Sequence, residues 1–384
     1  MHILIIPSWY KTNKNPLFGS FFEEQARGLM NLGYKVGIIY PSFYSFSSKT
    51  DSKNFVYMDN KLPTFYCHYK ALIPKCYSFN YHFFGTKIYK TYLEYIEEYG
   101  RPNIIHAHSV FFAGIAAEYI SKKTKIPFVI TEHLTEFITG GIKHPNDLKI
   151  SRKIFLNSKK NIVGSEGFKK LLSNKLNLSD NLFEVIPNMV NNLFFETDNL
   201  KKINKENPIF FTTSFLTERK NHILMLNAFK LLLVKFPNAV FRIGGDGAIR
   251  EKLKKYVQNI GIDTSVEFLG ELTRERMVME MSKCDIFLLG SKFETFGVVL
   301  IEALAAGKPI ITTDSVGPRD IVNVNNGIIV SELEFSPFYE AMMKMLVEYE
   351  KYDSQTIKND CRLKFSEEKI INSLKTVYTN AINA

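Results

Sequence analysis

Residues 291–309 read Ser291-Lys292-Phe293-Glu294-Thr295-Phe296-Gly297-Val298-Val299-Leu300-Ile301-Glu302-Ala303-Leu304-Ala305-Ala306-Gly307-Lys308-Pro309. A short apolar run at 286–289 precedes this stretch and another at 309–312 follows it, so the pattern is strand, turn, helix over 298–306, strand. Gly297 lets the backbone approach a ligand closely, and free amides at Phe296, Gly297 and Val298 add to the helix dipole to make an anion site suited to a diphosphate. Glu294 precedes the helix and Glu302 lies in its second turn, so the two carboxylates are placed to touch different parts of one ligand. The alternative is an acid favoured by the dipole and a second, solvent-exposed helical glutamate. Spacing alone leaves both open.

The same alternation extends outward in both directions. Strands are expected at 3–6, 36–40, 103–107, 128–131, 161–164 and 183–187, and again at 209–213, 240–243 and 266–269. Helices are expected at 21–32, 86–99, 114–121, 222–236, 249–260 and from 273. Strands alternating with helices imply parallel sheets covered on both faces. The polar, Asn- and Lys-rich stretch 188–207 reads as a linker. The expectation is two doubly wound, Rossmann-like α/β domains, 1–187 and 208–365, with a helical segment at 366–384 returning to the first. In open sheets of this kind ligands lie beyond the carboxyl ends of the strands, so the two domains are expected to face a cleft between them.

Composition agrees with a folded chain. Of 384 residues, 45% are hydrophobic, 14% aromatic and 23% charged, too apolar for disorder and too long for one ordinary domain. The net charge of +10 points to an acidic partner: nucleic acid, an anionic membrane or a phosphorylated ligand. Residues 1–200 carry 24 Lys and Arg against 16 Asp and Glu, whereas 201–384 carry 25 against 23. The surplus belongs to the first half, where seventeen Phe and Tyr from Tyr40 to Tyr95 are interleaved with seven lysines and three acids. That stretch has two readings, packing inside the domain or lysines on lipid phosphates with aromatic rings at the interface.

Cys67, Cys76, Cys284 and Cys361 form no CxxC pair and no disulfide framework. No apolar run reaches the roughly 18–20 residues of a membrane span, and His2–Pro7 is too short for a signal peptide. A cytoplasmic location is expected, with the first domain resting on the inner face of a membrane as an extension of the lipid reading. No Gly-x-Ser-x-Gly elbow is present, which argues against an ordinary α/β-hydrolase.

The spacing from Glu294 to Glu302, with Phe296-Gly297 between and Glu-Ala-x-Ala-x-Gly-x-Pro after, resembles the signature of glycosyltransferase family 4, retaining enzymes of the GT-B fold. Several further segments are similar to that family. Val185-Ile186-Pro187-Asn188 resembles its Pro-Asn-Gly-Val turn, with Met189 in place of glycine, and Gly244-Gly245-Asp246-Gly247 resembles its glycine turn. Phe268-Leu269-Gly270 resembles its Phe-x-Gly, and Pro7-Ser8 with Gly19-Ser20-Phe21 its loop over the donor diphosphate.

The resemblance implies that Glu302 binds ribose hydroxyls, that Glu294 binds those of the donor sugar, and that Lys220 and Gly19 meet the diphosphate. His133 then faces the donor sugar as a catalytic group. Phe215 stands where the family has arginine, so Arg219 is expected as the second cation, or as a solvated surface charge. His108 is expected on the acceptor side, or as a packed or capped histidine. His106-Ala107-His108 raises a metal pair, but no third ligand and no Asp-x-Asp motif is present, so no metal and no cofactor is expected. The implied partners are a nucleotide-diphosphate sugar, with a UDP-sugar favoured over GDP-mannose, and a glycan or lipid-linked acceptor. Rival readings are a nucleotide-sugar epimerase or phosphorylase of the same fold, and a basic RNA-binding protein. The last has no RNP-like strand to support it, so nucleic acid is the least expected partner.

Overall fold

The computed structural model describes residues 1–12, 18–45, 54–59, 61–71, 77–197, 204 and 206–384. The chain divides into two compact units, Met1–Pro187 with Glu368–Ala384, and Asn188–Glu367.

In the first unit the described strands are β1 (His2–Pro7), β2 (Lys35–Ser45), β3 (Phe55–Asp59), β4 (Leu62–Ala71), β5 (Ile104–His108), β6 (Phe128–Glu132), β7 (Lys160–Val163) and β8 (Phe183–Val185). They form one sheet in the order β3-β4-β2-β1-β5-β6-β7-β8. Neighbours are parallel except β3 and β4, which pair antiparallel. Ile3, Leu4, Ile5 and Ile6 are fully buried because β1 is central and covered on both faces. The helix Glu367–Asn383 carries a stripe of Ile370, Ile371, Leu374, Val377, Tyr378 and Ala381 at helical spacing, and all six are buried.

Two expectations change here. The aromatic stretch is largely sheet and helix: Phe65, Tyr66 and Tyr69 on β4, and Phe84, Tyr92 and Tyr95 on the helix Tyr77–Tyr99, are buried. Packing accounts for these rings, whereas Phe55, Val56, Tyr57 and Met58 on β3 are exposed. Residues 46–53 and 72–76 of that stretch, Cys76 among them, lie outside the described residues. The linker expectation also yields. Residues 188–197 pack into the second unit: the Val190 amide donates to the Phe365 carbonyl at 2.9 Å, and Phe194 is fully buried. The Phe194-Phe195 pair supplies the apolar anchor that the surrounding asparagines obscure. Residues 198–203 and 205 lie outside the described part.

The second unit contains β9 (Ile209–Thr213), β10 (Val240–Gly244), β11 (Val266–Gly270), β12 (Ile286–Leu289), β13 (Ile310–Thr313) and β14 (Gly327–Val330). Their order is β11-β10-β9-β12-β13-β14, every neighbouring pair parallel. This is the doubly wound 3-2-1-4-5-6 arrangement, and the chain leaves β9 and β12 toward opposite edges, which opens a crevice between them.

Gly245, at the carboxyl end of β10, has φ of 109°, and a Cβ there would lie 1.9 Å from the Ser214 carbonyl oxygen. Both the backbone conformation and the backbone contact demand glycine. Gly245→Ala is expected to cost about 1–3 kcal/mol. Urea unfolding measures it, and an unchanged midpoint would contradict the packing described.

Candidate active site

The crevice of the second unit receives the loop after β9 and the loop after β12, and these bring Lys220 and Glu294 together. Lys220 ends a 3-10 turn, Glu218–Lys220, and its Nζ lies 2.5 Å from Glu294 Oε1. Glu294 is held from the other side by Ser315, whose Oγ accepts from the Glu294 amide at 2.6 Å and donates to its carbonyl at 3.0 Å. Burial works to raise the Glu294 carboxyl, but the charge and hydrogen bond of Lys220, with the charge of Arg219, hold it below the usual carboxylate range. Arg219, next to Lys220 on the same 3-10 turn, adds its charge to the pull on Glu294. Phe215 is 53% exposed.

Gly297 caps the helix Val298–Ala305 with φ of 101°, so the chain enters the helix without a side-chain cap. The Phe296 ring is buried and packs edge-on against Phe365, so its amide is what it offers to a ligand, as Val298 does from the first turn. Glu302 is 2% exposed, against the solvated alternative for it. Its Oε1 pairs with Arg274 Nη1 at 2.5 Å, and its Oε2 is buried with no hydrogen-bond partner. Arg274 escaped the reading of the sequence. Its signal is an arginine at the start of a helix, Arg274–Lys283, where the dipole disfavours a cation.

In the first unit His108 ends β5 and His133 follows β6. His108 Nδ1 and His133 Nε2 are 3.1 Å apart with the rings stacked, and Trp9, Phe21 and Phe22 surround His133 edge-on. His108 has no exposed surface, so any part it takes runs through His133. Glu132, also missed, accepts from the amides of Val110, His133 and Leu134 at 2.8–2.9 Å and so fixes the loop that carries His133. Gly19 is the N-cap of the helix Ser20–Asn31. His106 pairs with Tyr378 and Thr131, each at 2.7 Å, and not with a ligand set. Among the described residues no group of three or more His, Cys, Asp or Glu is arranged to hold a metal ion.

The two doubly wound units, with a paired lysine and glutamate where the second sheet's strand order reverses, define a GT-B glycosyltransferase, and known proteins agree. The description "Glycosyltransferase Family 4" matches residues 19–192, and "Glycosyl transferases group 1" matches residues 195–360. The chain belongs to the glycosyltransferases of family 4. It is 27% identical over 247 residues to the alpha-monoglucosyldiacylglycerol synthase of Streptococcus pneumoniae, covering 59% of this chain and 55% of that one. It is 28% identical over 174 residues to an uncharacterized glycosyltransferase of Methanocaldococcus jannaschii, covering 42% of this chain and 41% of that one. The chain thus spans about half the length of these curated relatives. In fold it is similar to Anabaena HepE in complex with UDP and glucose, with a TM-score of 0.75, 15% identity and 98% and 99% of the two chains covered.

The buried histidines set a pH dependence. Burial pushes His106 down to about 3 and lowers His108 well below the ordinary value, while it raises Glu132 to about 7 against the pull of its three amides. A lowered histidine binds a proton in the unfolded chain first, so its contribution is lost as pH falls below about 6.5, by about 1.4 kcal/mol per pH unit. A raised glutamate works the other way: its contribution is full below about 4.5 and lost as pH rises through 7. Four such histidines outweigh one acid, since burial also lowers His133 to about 3 and His222 to about 4. Stability is expected to fall between pH 6.5 and 5, and His106→Gln to flatten that fall. Urea midpoints at pH 7 and 5 test this, and a parallel drop in both proteins would refute it.

Proposed function

We infer that the protein is a retaining glycosyltransferase that moves a sugar from a nucleoside diphosphate to an acceptor hydroxyl without a metal ion. The observation that carries this reading is the 2.5 Å pair of Lys220 and Glu294 at the crevice of the second sheet. A lysine there meets the diphosphate, and a buried carboxylate held ionised accepts hydrogen bonds from sugar hydroxyls. Arg219, the amides of Phe296, Gly297 and Val298, and the Gly19 turn complete the set of donors assigned to the phosphates. Glu302 takes the ribose hydroxyls. Preorganised donors aimed at growing charge are worth about 3 kcal/mol each in barrier terms.

In the reaction the bond from the anomeric carbon to the phosphate oxygen breaks and a bond to the acceptor oxygen forms. On the retaining route both events occur on one face of the sugar, and the acceptor proton passes to the departing phosphate oxygen. His133 is assigned to turnover, as a neutral imidazole that hydrogen-bonds the transferred sugar.

A UDP-sugar is the favoured donor, supported by the UDP and glucose in complex with the similar Anabaena protein, with GDP-mannose second. The first unit is assigned the acceptor, a lipid-linked or surface-glycan precursor. The name of the streptococcal relative and the basic first half support this. No helix among the described residues is long and apolar enough to cross a membrane, so contact with lipid is proposed through the surface alone.

A thermal-shift screen of nucleotide-sugars identifies the donor, and NMR of the product reads the anomeric centre. An α-linked donor is expected to give an α-linked product, insensitive to EDTA; an inverted linkage, or donor turnover with no acceptor, overturns the reading. Lys220→Ala is expected to lower kcat/KM by roughly 10²–10³-fold and Arg219→Ala by about tenfold. His133→Ala should depress kcat more than it weakens donor binding. If Arg219→Ala has no effect while Lys220→Ala abolishes activity, Arg219 is not the second cation.

A further inference from the structure

Glu302 is the sole charged residue of an otherwise apolar helix, Val298–Ala305, and it is 2% exposed. A carboxylate in that position is costly unless each oxygen is met. Only one is: Oε1 lies 2.5 Å from Arg274 Nη1, and Oε2 is buried with no partner. Arg274 is itself in an unfavourable place. It opens the helix Arg274–Lys283, after the N-cap Thr273, where the positive end of the dipole repels a guanidinium. Neither residue is explained by its own helix, and the ion pair offsets both penalties.

The pairing is also one-sided. A guanidinium can grip both oxygens of a carboxylate as a fork; here the short contact is made to Oε1. Arg274 thus neutralises Glu302 and pins its orientation while leaving the lone pairs of Oε2 for a ligand. An orphaned, buried acceptor is matched by a ligand that donates, and a vicinal diol donates twice.

We propose that Arg274 is a positioning residue that sets the enzyme's discrimination for the ribose diol of the nucleotide, by locking Glu302 with Oε2 toward it. The proposal rests on the reading of Glu302 as the ribose contact. A nucleotide without the diol leaves Oε2 unmatched, so the dideoxy form binds roughly ten- to a hundredfold more weakly. Without the guanidinium the carboxylate is free to turn, and the penalty for the missing hydroxyls shrinks. A lysine at the same position restores charge but not the planar fork, so part of the discrimination returns.

The experiment measures, by calorimetry on the full chain, the Kd of UDP, GDP and ADP and of the 2′,3′-dideoxy counterpart of whichever binds. It is run on the wild type and on Arg274→Gln, Arg274→Lys and Glu302→Gln, each first checked for cooperative unfolding. The wild type is expected to prefer the ribonucleotide by at least tenfold, Glu302→Gln to lose that preference, Arg274→Gln to lose at least fivefold of it, and Arg274→Lys to fall between. A role limited to stability would weaken both ligands equally and leave the ratio untouched. If Glu302→Gln loses the preference but both Arg274 variants keep the wild-type ratio, the proposal is wrong and the ribose reading of Glu302 stands. If Glu302→Gln keeps the preference, or no nucleoside diphosphate binds the wild type, the underlying reading fails and takes the proposal with it. Should Arg274→Gln not fold, the Arg274→Lys ratio decides alone.

Discussion

A parallel strand cannot be followed by a tight turn to its neighbour; the chain must cross over, and the crossover is a helix. That constraint orders each unit of this protein. In the second unit it sends the chain from β9 toward β10 on one side and from β12 toward β13 on the other, so two loops leave the sheet side by side with nothing between them. Lys220 and Glu294 are 74 residues apart in sequence and meet at 2.5 Å because of it. The same constraint places His108 at the end of β5 and His133 just past β6, on adjacent parallel strands. Site chemistry in both units follows from strand order before any particular side chain is considered.

Two of the buried glutamates of the second unit, Glu294 and Glu302, show how the protein keeps charge inside an apolar shell. Each is matched by a single cation on Oε1, Lys220 for Glu294 and Arg274 for Glu302. The cations differ in kind: a lysine is a mobile point charge, an arginine a rigid fork. The lysine sits where the phosphate charge is assigned, and a flexible partner can be shared between a carboxylate and a ligand. On the proposal made for Arg274, the arginine sits where orientation matters more than charge. The first unit solves the opposite problem, since its buried histidines are kept neutral, and Glu132 is satisfied by backbone amides and not by a cation.

Periodicity carried most of this architecture. The strands at 209–213 and 286–289 and the helices around them are legible because a buried parallel strand is a continuous β-branched or aromatic run, and because glycine and proline punctuate the ends. Glu294, Glu302 and Gly297 drew notice because they share one local motif, and Lys220 because of its own; the structure puts Lys220 beside Glu294. What stayed hidden is long-range or compositionally disguised. Arg274 lies 28 residues from Glu302, with no pattern linking them. Strands β3 and β4 carry aromatic residues, within a lysine-rich stretch, that suit a surface as well as a sheet. Phe194 and Phe195 sit among asparagines that read as a spacer. Arg219 had two readings, second cation or solvated charge, because nothing in the sequence shows how the turn Glu218–Lys220 directs its side chain.

The charge of the chain takes on a different meaning once the sites are placed. A diphosphate carries its charge on a few oxygens, and two cations with several amides suffice for it, so the nearly neutral second half is no obstacle to donor binding. A high overall charge helps where the partner is extended and its charges are spread, because steering and surface attraction sum over many weak contacts. The excess of the first half accords with the proposed acceptor being extended. Part of the aromatic content that travelled with that charge is spent inside the fold, on buried rings such as Tyr92 and Tyr95. Among the described residues of that stretch, those facing outward include Phe83 and, on β3 at the edge of the sheet, Phe55, Val56, Tyr57 and Met58. The acceptor proposed above, lipid-linked and phosphorylated, is one whose apolar and charged parts would suit such a surface, whereas a free soluble sugar would use neither.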